Sequence, residues 1–337
     1  MRRVVVTRFG GPEVLDVVET DTPLPGSGEV RVRVLASGAS FTDTQLRAGT
    51  YLGGPKPPFT PGYELVGIVE ELGAGCTRLG VGDRVGVLTV WGANAERVCV
   101  PERYAVNVPE DLDPAEVVSL VFAYMTAYQL LHRAARARKG ETILVHGAAG
   151  RVGSAILELG AIAGLRMFGT ASKRDLPVVE RLGAVAIDYQ NDDFLARVRE
   201  RTGDGVDVAL DGLGGPLSLR SFRALRRGGR LVVFGRYATI AHGRKNWPAV
   251  FGWYASTAAV ALWGLLSPSR RVLSYRVQVL RTHHQDWFDE DFRALLGLLR
   301  EREIHPAVAA RLQLSEARRA HELLESTAST GKIVFVS

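Results

Sequence analysis

Apolar residues in the first third of the chain come in short runs: Val30–Leu35, Gly67–Leu72, Arg84–Leu88 and Arg97–Val100. Turn formers separate them. Pro23, Pro25, Gly26 and Gly28 punctuate the approach to the first run, and residues 53–61 form a loop rich in Pro and Gly. The opening Met1–Arg8 also reads as a strand. Short β-type runs between Gly/Pro turns predict a compact β-rich domain. From Val117 the pattern changes. Strands are expected at Thr142–His146, Arg166–Gly169, Ala184–Asp188, Val206–Leu210 and Leu231–Phe234. Helical patterns fall between them: Val152–Ala163, a helix through Val179 and Leu182, then Asp193–Arg201 and Leu217–Arg226. Regular alternation of this kind predicts an α/β fold built on a doubly wound parallel sheet.

The remainder of the chain adds a strand at Leu273–Val279, which continues that sheet, and amphipathic helices at Phe292–Arg302 and Ser315–Ser326. Ser315 is followed by Arg318 and makes no capping box, but Glu316 in the first turn suits the helix dipole. A closing strand is expected at Ile333–Val336. The expected organisation is a β-rich first domain over 1–116, a dinucleotide-type domain over 117–262, and a segment 263–337 that finishes the sheet and returns to the first domain. Pro248–Leu266 carries no formal charge and is long enough to span a bilayer. Gly252, Ser256, Thr257 and Gly264 dilute it, and it lies between two strands expected in one sheet, so it reads as a buried helix rather than a membrane span.

Composition sharpens this only in part. The chain has 337 residues, 46% hydrophobic and 23% charged, enough for two domains with full cores. Its net charge of +6 is spread along the sequence. That suits attraction of an anionic ligand, and no zinc finger, basic tail or aromatic RNA-binding signature points to nucleic acid. Two cysteines, Cys76 and Cys99, exclude a disulfide framework and a four-cysteine metal lobe. With no signal-peptide pattern at the start, the expected location is the cytoplasm.

The most informative local signal is Ile143–Gly153, where an apolar strand runs into a glycine-spaced turn and then a helix. Gly147 permits the sharp turn. Gly150 lets backbone approach a pyrophosphate, and Gly153 lets the helix pack against the strand. Backbone amides of Ala148, Arg151 and Val152 stand at the mouth of this turn, where a helix N-terminus offers partial positive charge to an anion. The Arg151 side chain either adds to that charge or points to solvent. The second strand decides between dinucleotides. An NAD site carries Asp or Glu at its tip, for the ribose hydroxyls. Here the tip reads Ser172-Lys173-Arg174, a hydroxyl and two cations suited to a 2′-phosphate, so NADPH is the expected cofactor. Tyr189, after the third strand, stands to close the same pocket. The plainer alternative makes Lys173 and Arg174 solvated charges opening a helix, with Asp175 competing for the ribose.

These residues, with Pro61–Glu64, Gly82–Val85, Ala36–Asp43, Ala123–Tyr128, Asp211–Gly215 and Gly331–Val334, resemble the medium-chain dehydrogenase/reductase superfamily along nearly the whole chain. Within it the chain is most similar to the zinc-free quinone oxidoreductases, including the zeta-crystallin and vesicle-amine-transport-1-like branches. The resemblance implies a Rossmann sheet inserted in a GroES-like β domain. It places the nicotinamide near Ser40 and Thr126, implies cofactor contacts at Gly212 and Gly235, and implies a homodimer joined through the nucleotide domain. Zinc members carry Cys where Ser40 stands and His where Tyr63 stands, ahead of the Glu matched by Glu64. Ser and Tyr are poor zinc ligands, so no zinc is expected. The expected reaction is hydride delivery to a quinone or an α,β-unsaturated carbonyl compound, whose conjugation spreads the developing charge. Ser40, Tyr51 and Tyr63 are the candidate catalytic side chains, the two tyrosines being equally readable as packing. Asp43 is expected to fix loop hydrogen bonds, Cys99 to be a small buried residue and His146 a satisfied core histidine. His283 and His284 are expected as a surface pair with Trp287 in a polar turn. An enoyl-thioester reductase and a non-catalytic NADPH-binding scaffold are the competing functions.

Overall fold

A computed structural model describes the chain except for residues 52, 236–239, 242–243, 246, 327–330 and 337; for 240–241, 244–245 and 247–250 it describes backbone alone. The chain divides into two compact units, Met1–Met125 with Arg281–Ser337, and Thr126–Leu280.

The first unit is built on a sheet in the order Val308–Leu312, Lys332–Val336, Glu29–Ala39, Glu64–Leu72, Arg84–Leu88, Ala105–Asn107, with Arg97–Pro101 also paired to Glu29–Ala39. All four early strand expectations are met. Glu29–Ala39 outruns the expected Val30–Leu35 because three neighbours claim different stretches of it: Arg97–Pro101 pairs with Glu29–Arg33, and the closing strand pairs with Ala36–Ala39. The last strand therefore binds the chain's end to its beginning. Arg2–Val6 forms a separate hairpin with Leu15–Glu19. Val30, Val32, Leu65, Val85 and Val87, alternating along their strands, are fully buried in one core, while Val4, Leu15, Leu46, Ile333 and Phe335 fill another.

Two helical expectations shift. The helix expected from Phe292 starts at Gln285, so Trp287 lies in its first turn rather than in a polar loop. His284 stacks on Trp287 with ring centroids 4.1 Å apart. Phe288 and Phe292 are fully buried, and a Cβ on Gly86 would stand 2.8 Å from the Phe292 ring, so this helix docks directly on the Arg84–Leu88 strand. Near the C-terminus a short 3-10 turn, Leu314–Glu316, precedes the helix Ala317–Glu325. A capping box is present there after all, two residues upstream of Ser315, between Gln313 and Glu316.

The Ala317–Glu325 helix buries His321 against Arg47, whose guanidinium lies 3.0 Å from Nδ1. A guanidinium only donates, so Nδ1 accepts and the ring is neutral with its proton on Nε2. Burial, then the charge of Arg47, pushes the His321 pKa down to about 3. In the unfolded chain the ring protonates near its ordinary 6.5. The contribution of His321 to stability is thus present above that value and lost as pH falls toward 3, at about 1.4 kcal/mol per pH unit. Asp43, whose pKa is raised, works in the opposite sense, but equally in wild type and variant. His321→Asn should therefore lose stability less steeply than wild type between about pH 6 and pH 4 in urea unfolding. Parallel slopes would contradict this.

The second unit holds a six-stranded sheet in the order Val185–Asp188, Arg166–Ala171, Thr142–His146, Val206–Asp211, Leu225–Val233, Arg271–Ser274. Every pairing is parallel. This is the doubly wound order that reverses direction at its first strand. Leu144, Ala209, Leu225 and Leu231 are fully buried under Phe194, Val198 and Phe222 of the covering helices.

The expected Leu273–Val279 strand is cut short. It ends at Ser274, and Val277–His283 is helical. Apolar alternation from Leu273 to Val279 suggests a strand, but among the described residues its pairing with Leu225–Val233 ends at Val233 opposite Ser274. The Pro248–Leu266 segment is a helix, Trp247–Leu266, as expected. It is not buried. Trp253 and Val260 face inward, whereas Phe251, Leu262, Leu265 and Leu266 stand more than half exposed. Among the described residues no helix is long and apolar enough to cross a membrane.

Candidate cofactor and acceptor sites

The glycine turn sits at the carboxyl end of the first strand of the parallel sheet. His146 ends that strand, Gly147 turns with φ +68°, and the helix Arg151–Ile162 begins with Gly150 as its N-cap. Ala148 N–H donates to Thr170 O, pinning the turn to the second strand, and Ser154 N–H closes the first helical bond to Gly150 O at 2.7 Å. The first-turn amides before Ser154 are those a helix leaves without intrahelical acceptors. A Cβ on Gly153 would overlap the Gly147 carbonyl oxygen and stand 2.7 Å from Ala148 Cα, so only glycine allows this closeness. Gly150 is less crowded, with Gly147 O at 3.2 Å from such a Cβ. Val152 and the Arg151 side chain are both half-buried.

His146 is held by Thr170 Oγ1 at Nδ1, 3.1 Å, and by Ser221 Oγ at Nε2, 2.9 Å. Burial pushes its pKa below the usual imidazole value. It is a core histidine that ties three elements together.

At the tip of the second strand, Ser172 caps a 3-10 turn that contains Lys173 and Arg174. Tyr189 N–H donates to Ala171 O, which brings the Tyr189 side chain, 58% exposed, to the same tip. Asp175 does not stand apart as a ribose ligand. It accepts from Ser172 Oγ at 2.6 Å and from Arg174 Nε at 3.0 Å, and the Arg174 bond, followed by that of Ser172, draws its pKa down. The two expected phosphate donors thus already share a carboxylate acceptor within this turn. Along the sheet, Gly212 and Gly235 mark where two strand ends meet: a Cβ on Gly235 would overlap Gly212 O. Asp211 organises the turn there, accepting from Leu213 N and Gly214 N at 2.9 Å and from Ser218 Oγ at 2.6 Å.

Thr126 follows a π-helical stretch, Leu120–Tyr124, a distortion that recurs at functional sites. Its Oγ1 is buried and has no hydrogen-bond partner among the described residues. A buried hydroxyl left unmatched costs free energy unless a ligand or water satisfies it. Together with the glycine cradle and the cationic tip, it fits a dinucleotide.

In the first unit the candidate catalytic residues separate. Tyr63 is 3% exposed with its ring 4.4 Å from that of Phe122, and half-buried Tyr51 packs on the core formed around Leu46 and Phe59. Both rings serve packing, whatever else their hydroxyls do. Ser40 instead enters a buried charged cluster. It caps the helix Phe41–Arg47, and Asp43 Oδ2 accepts from its backbone N–H at 2.7 Å while Oδ1 accepts from Gly62 N–H at 2.9 Å. Asp43 thus fixes the loop. Burial and then the nearby Glu64 carboxylate push its pKa up to about 7. The Ser40 hydroxyl donates to Glu64 Oε1 at 3.2 Å and accepts from Lys332 Nζ at 2.7 Å, and Lys332 also pairs with the same Glu64 oxygen. Glu64 is fully buried and Lys332 is 3% exposed.

Sequence reasoning names Glu64 and Lys332 only as parts of motifs. Nothing in the sequence says that residues so far apart form an ion pair beside Ser40. Gly38 supplies a hint that only the fold makes readable: a Cβ there would overlap Glu64 Oε1 and stand 2.5 Å from Lys332 Cε. Among the described residues no group of His, Cys, Asp and Glu is arranged to hold a metal. Cys99 is half-buried, with its thiol raised by burial and then by the Glu29 charge.

A parallel sheet in this order, with a glycine turn at its first strand and a β-rich companion unit, defines a two-unit protein of the dinucleotide-fold class. Family models agree. An alcohol dehydrogenase GroES-like domain matches residues 26–110, and a model described as zinc-binding dehydrogenase matches 182–335. Rat quinone oxidoreductase is 31% identical over all of this chain and 98% of its own length. The Danio rerio synaptic vesicle membrane protein VAT-1 homolog is also 31% identical, over all of this chain and 70% of its own. The crystal structure of Escherichia coli quinone oxidoreductase complexed with NADPH is 28% identical, with a TM-score of 0.86 and full coverage of both chains. The chain belongs to the medium-chain dehydrogenase/reductase superfamily, in the zinc-free quinone oxidoreductase and VAT-1-like branch.

Proposed function

We propose that the chain is a zinc-independent, NADPH-dependent reductase of conjugated carbonyl compounds, quinones or α,β-unsaturated carbonyls. The observation that carries this reading is the joining of a glycine cradle to a strand tip bearing Ser172, Lys173, Arg174 and Tyr189 in place of the acid an NAD site needs. Backbone amides of Arg151, Val152 and Gly153 would hold the pyrophosphate, while Ala148, whose own N–H is bound to Thr170 O, would line the turn; Gly212 and Gly235 would leave it room, and Thr126 would satisfy its hydroxyl on the nicotinamide end. When bound, NADPH supplies the hydride. Ser172 and Arg174 must exchange Asp175 for the 2′-phosphate, and Lys173, whose charge also acts on the Asp188 carboxylate, adds to the positive potential there. Ser40 is the polar group in the first unit best supported for the acceptor oxygen, ahead of Tyr51 and Tyr63.

Lys173→Glu is expected to weaken NADPH by about tenfold or more while changing NADH by less than about threefold, because it places a carboxylate against a dianion. Equal effects on both cofactors in a fluorescence titration would remove the phosphate from this tip. The reaction itself is tested by following NADPH oxidation against a panel of quinones and enones. Turnover on the conjugated acceptors, with none on saturated ketones, is the expected result. Cofactor binding with no turnover on any acceptor would refute the proposal.

The protein is further proposed to act as a cytoplasmic homodimer. The Arg271–Ser274 strand closes one edge of the parallel sheet, and the helix carrying exposed Leu262, Leu265 and Leu266 packs beside it, with a Cβ on Gly264 only 2.7 Å from Val272 Cγ2. An edge strand that pairs on one side only among the described residues, next to an apolar face, is suited to meeting its own copy across a twofold axis.

A further inference from the structure

The buried ion pair beside Ser40 has a consequence for the polarity of that hydroxyl. Lys332 lies on the closing strand, where Ile333 pairs with Ala39 and Val334 with Gly38. Its side chain passes Gly38, the position at which any Cβ would collide with it, and ends against Ser40 Oγ and Glu64 Oε1. An ammonium has three protons to give and no lone pair. Toward Lys332, therefore, Ser40 Oγ only accepts. Its own proton is left to be donated, and its acceptor among the described residues, Glu64 Oε1 at 3.2 Å, is already engaged by the ammonium. Without the cation, Glu64 would hold the Ser40 proton and present the bare oxygen lone pairs to any carbonyl, which is the wrong polarity for stabilising negative charge. With it, the hydroxyl is free to turn and donate, and a charge-assisted bond behind it strengthens that donation.

Stability alone is a weak reason for such a pair. Charges withdrawn from water this completely tend to cost as much as they return, and apolar replacements are often no worse. Glu64 even leaves Oε2 buried with no hydrogen-bond partner among the described residues.

We propose that Lys332 is a positioning residue for catalysis: with Glu64 it fixes Ser40 Oγ as a hydrogen-bond donor toward the oxygen of the acceptor. This rests on the reductase reading and on Ser40 as its acceptor-facing group. As a hydride adds to the conjugated carbon, the π electrons shift onto the carbonyl oxygen. The Ser40 hydroxyl donates to that oxygen, Lys332 donates to Ser40 and keeps its proton, and a solvent proton then completes the reduced product.

The test uses Lys332→Met combined with Glu64→Gln, which removes both charges and leaves neither uncompensated, alongside Ser40→Ala and the triple variant. The double variant should bind NADPH as wild type does and keep its acceptor KM, with kcat lowered about 100-fold, the usual scale for loss of one oxyanion donor. Ser40→Ala should lose a similar factor, and adding it to the double variant should cost less than about threefold more, since both act through one hydroxyl. Lys332→Gln serves the same comparison where the double variant does not fold. A folded charge-free variant with wild-type kcat, or losses that multiply with Ser40→Ala, would overturn the inference and leave the reductase reading standing. A wild-type protein that binds NADPH and reduces no acceptor would overturn both.

Discussion

Gly153→Val should abolish measurable NADPH binding, weakening it by at least about 100-fold, and should lower stability as well. Gly153 lies in the first turn of the helix Arg151–Ile162, against the backbone of the turn that precedes it. Its missing side chain is what brings the helix N-terminus over the end of the Thr142–His146 strand, since even a single Cβ would overlap Gly147 O. A branched side chain would push the helix off the strand and turn the first-turn amides away from any diphosphate. Gly150→Ala offers a graded comparison. Its Cβ would meet Gly147 O at 3.2 Å, which small adjustment relieves, so its loss should be several-fold smaller. If both variants bind alike, close packing at Gly153 is not what positions the anion site.

Asp211→Ala should be the most destabilising single polar substitution in the nucleotide unit, by about 3 kcal/mol or more. Asp211 is fully buried, and its two oxygens take protons from Leu213 N, Gly214 N and Ser218 Oγ. Deleting the carboxylate strands these donors in a turn that already contains Gly214 at φ +72° and Gly215 at φ +71°. Because Gly212 begins the same turn and meets Gly235, a loosened Asp211 should also weaken NADPH by about tenfold. Urea unfolding and cofactor titration on the same samples separate the two effects. A variant as stable as wild type would show that these bonds are replaced by others.

The parallel sheet was legible because its strands are short apolar runs with turn residues at each end, and because the Ile143–Gly153 segment allows few other structures. Tertiary pairing was not legible. Leu273–Val279 has the alternation of a strand, yet among the described residues only Leu273 and Ser274 are paired, and the chain from Val277 is helical. The Trp247–Leu266 segment shows the reverse limit. Its apolar composition suggests burial, but with so few polar positions no face is marked out, and Leu265 stands 84% exposed. In the candidate site, the glycine cradle and the cationic tip follow from local order. The engagement of Ser172 and Arg174 by Asp175, and of Ser40 by Lys332 and Glu64, depends on side-chain directions and on strands paired across the sequence. Motif spacing brings Ser40 and Glu64 to notice as positions; only folding shows them sharing a buried cation.

Calorimetric titration of the purified protein with NADPH, repeated with NADH, addresses the dinucleotide site most directly. Saturation at one NADPH per chain, with affinity about tenfold or more above that for NADH, is the result expected of amides at the Gly147–Gly153 turn and cations at the Ser172–Arg174 tip. No complex with NADPH, or equal affinity for both dinucleotides, would contradict it.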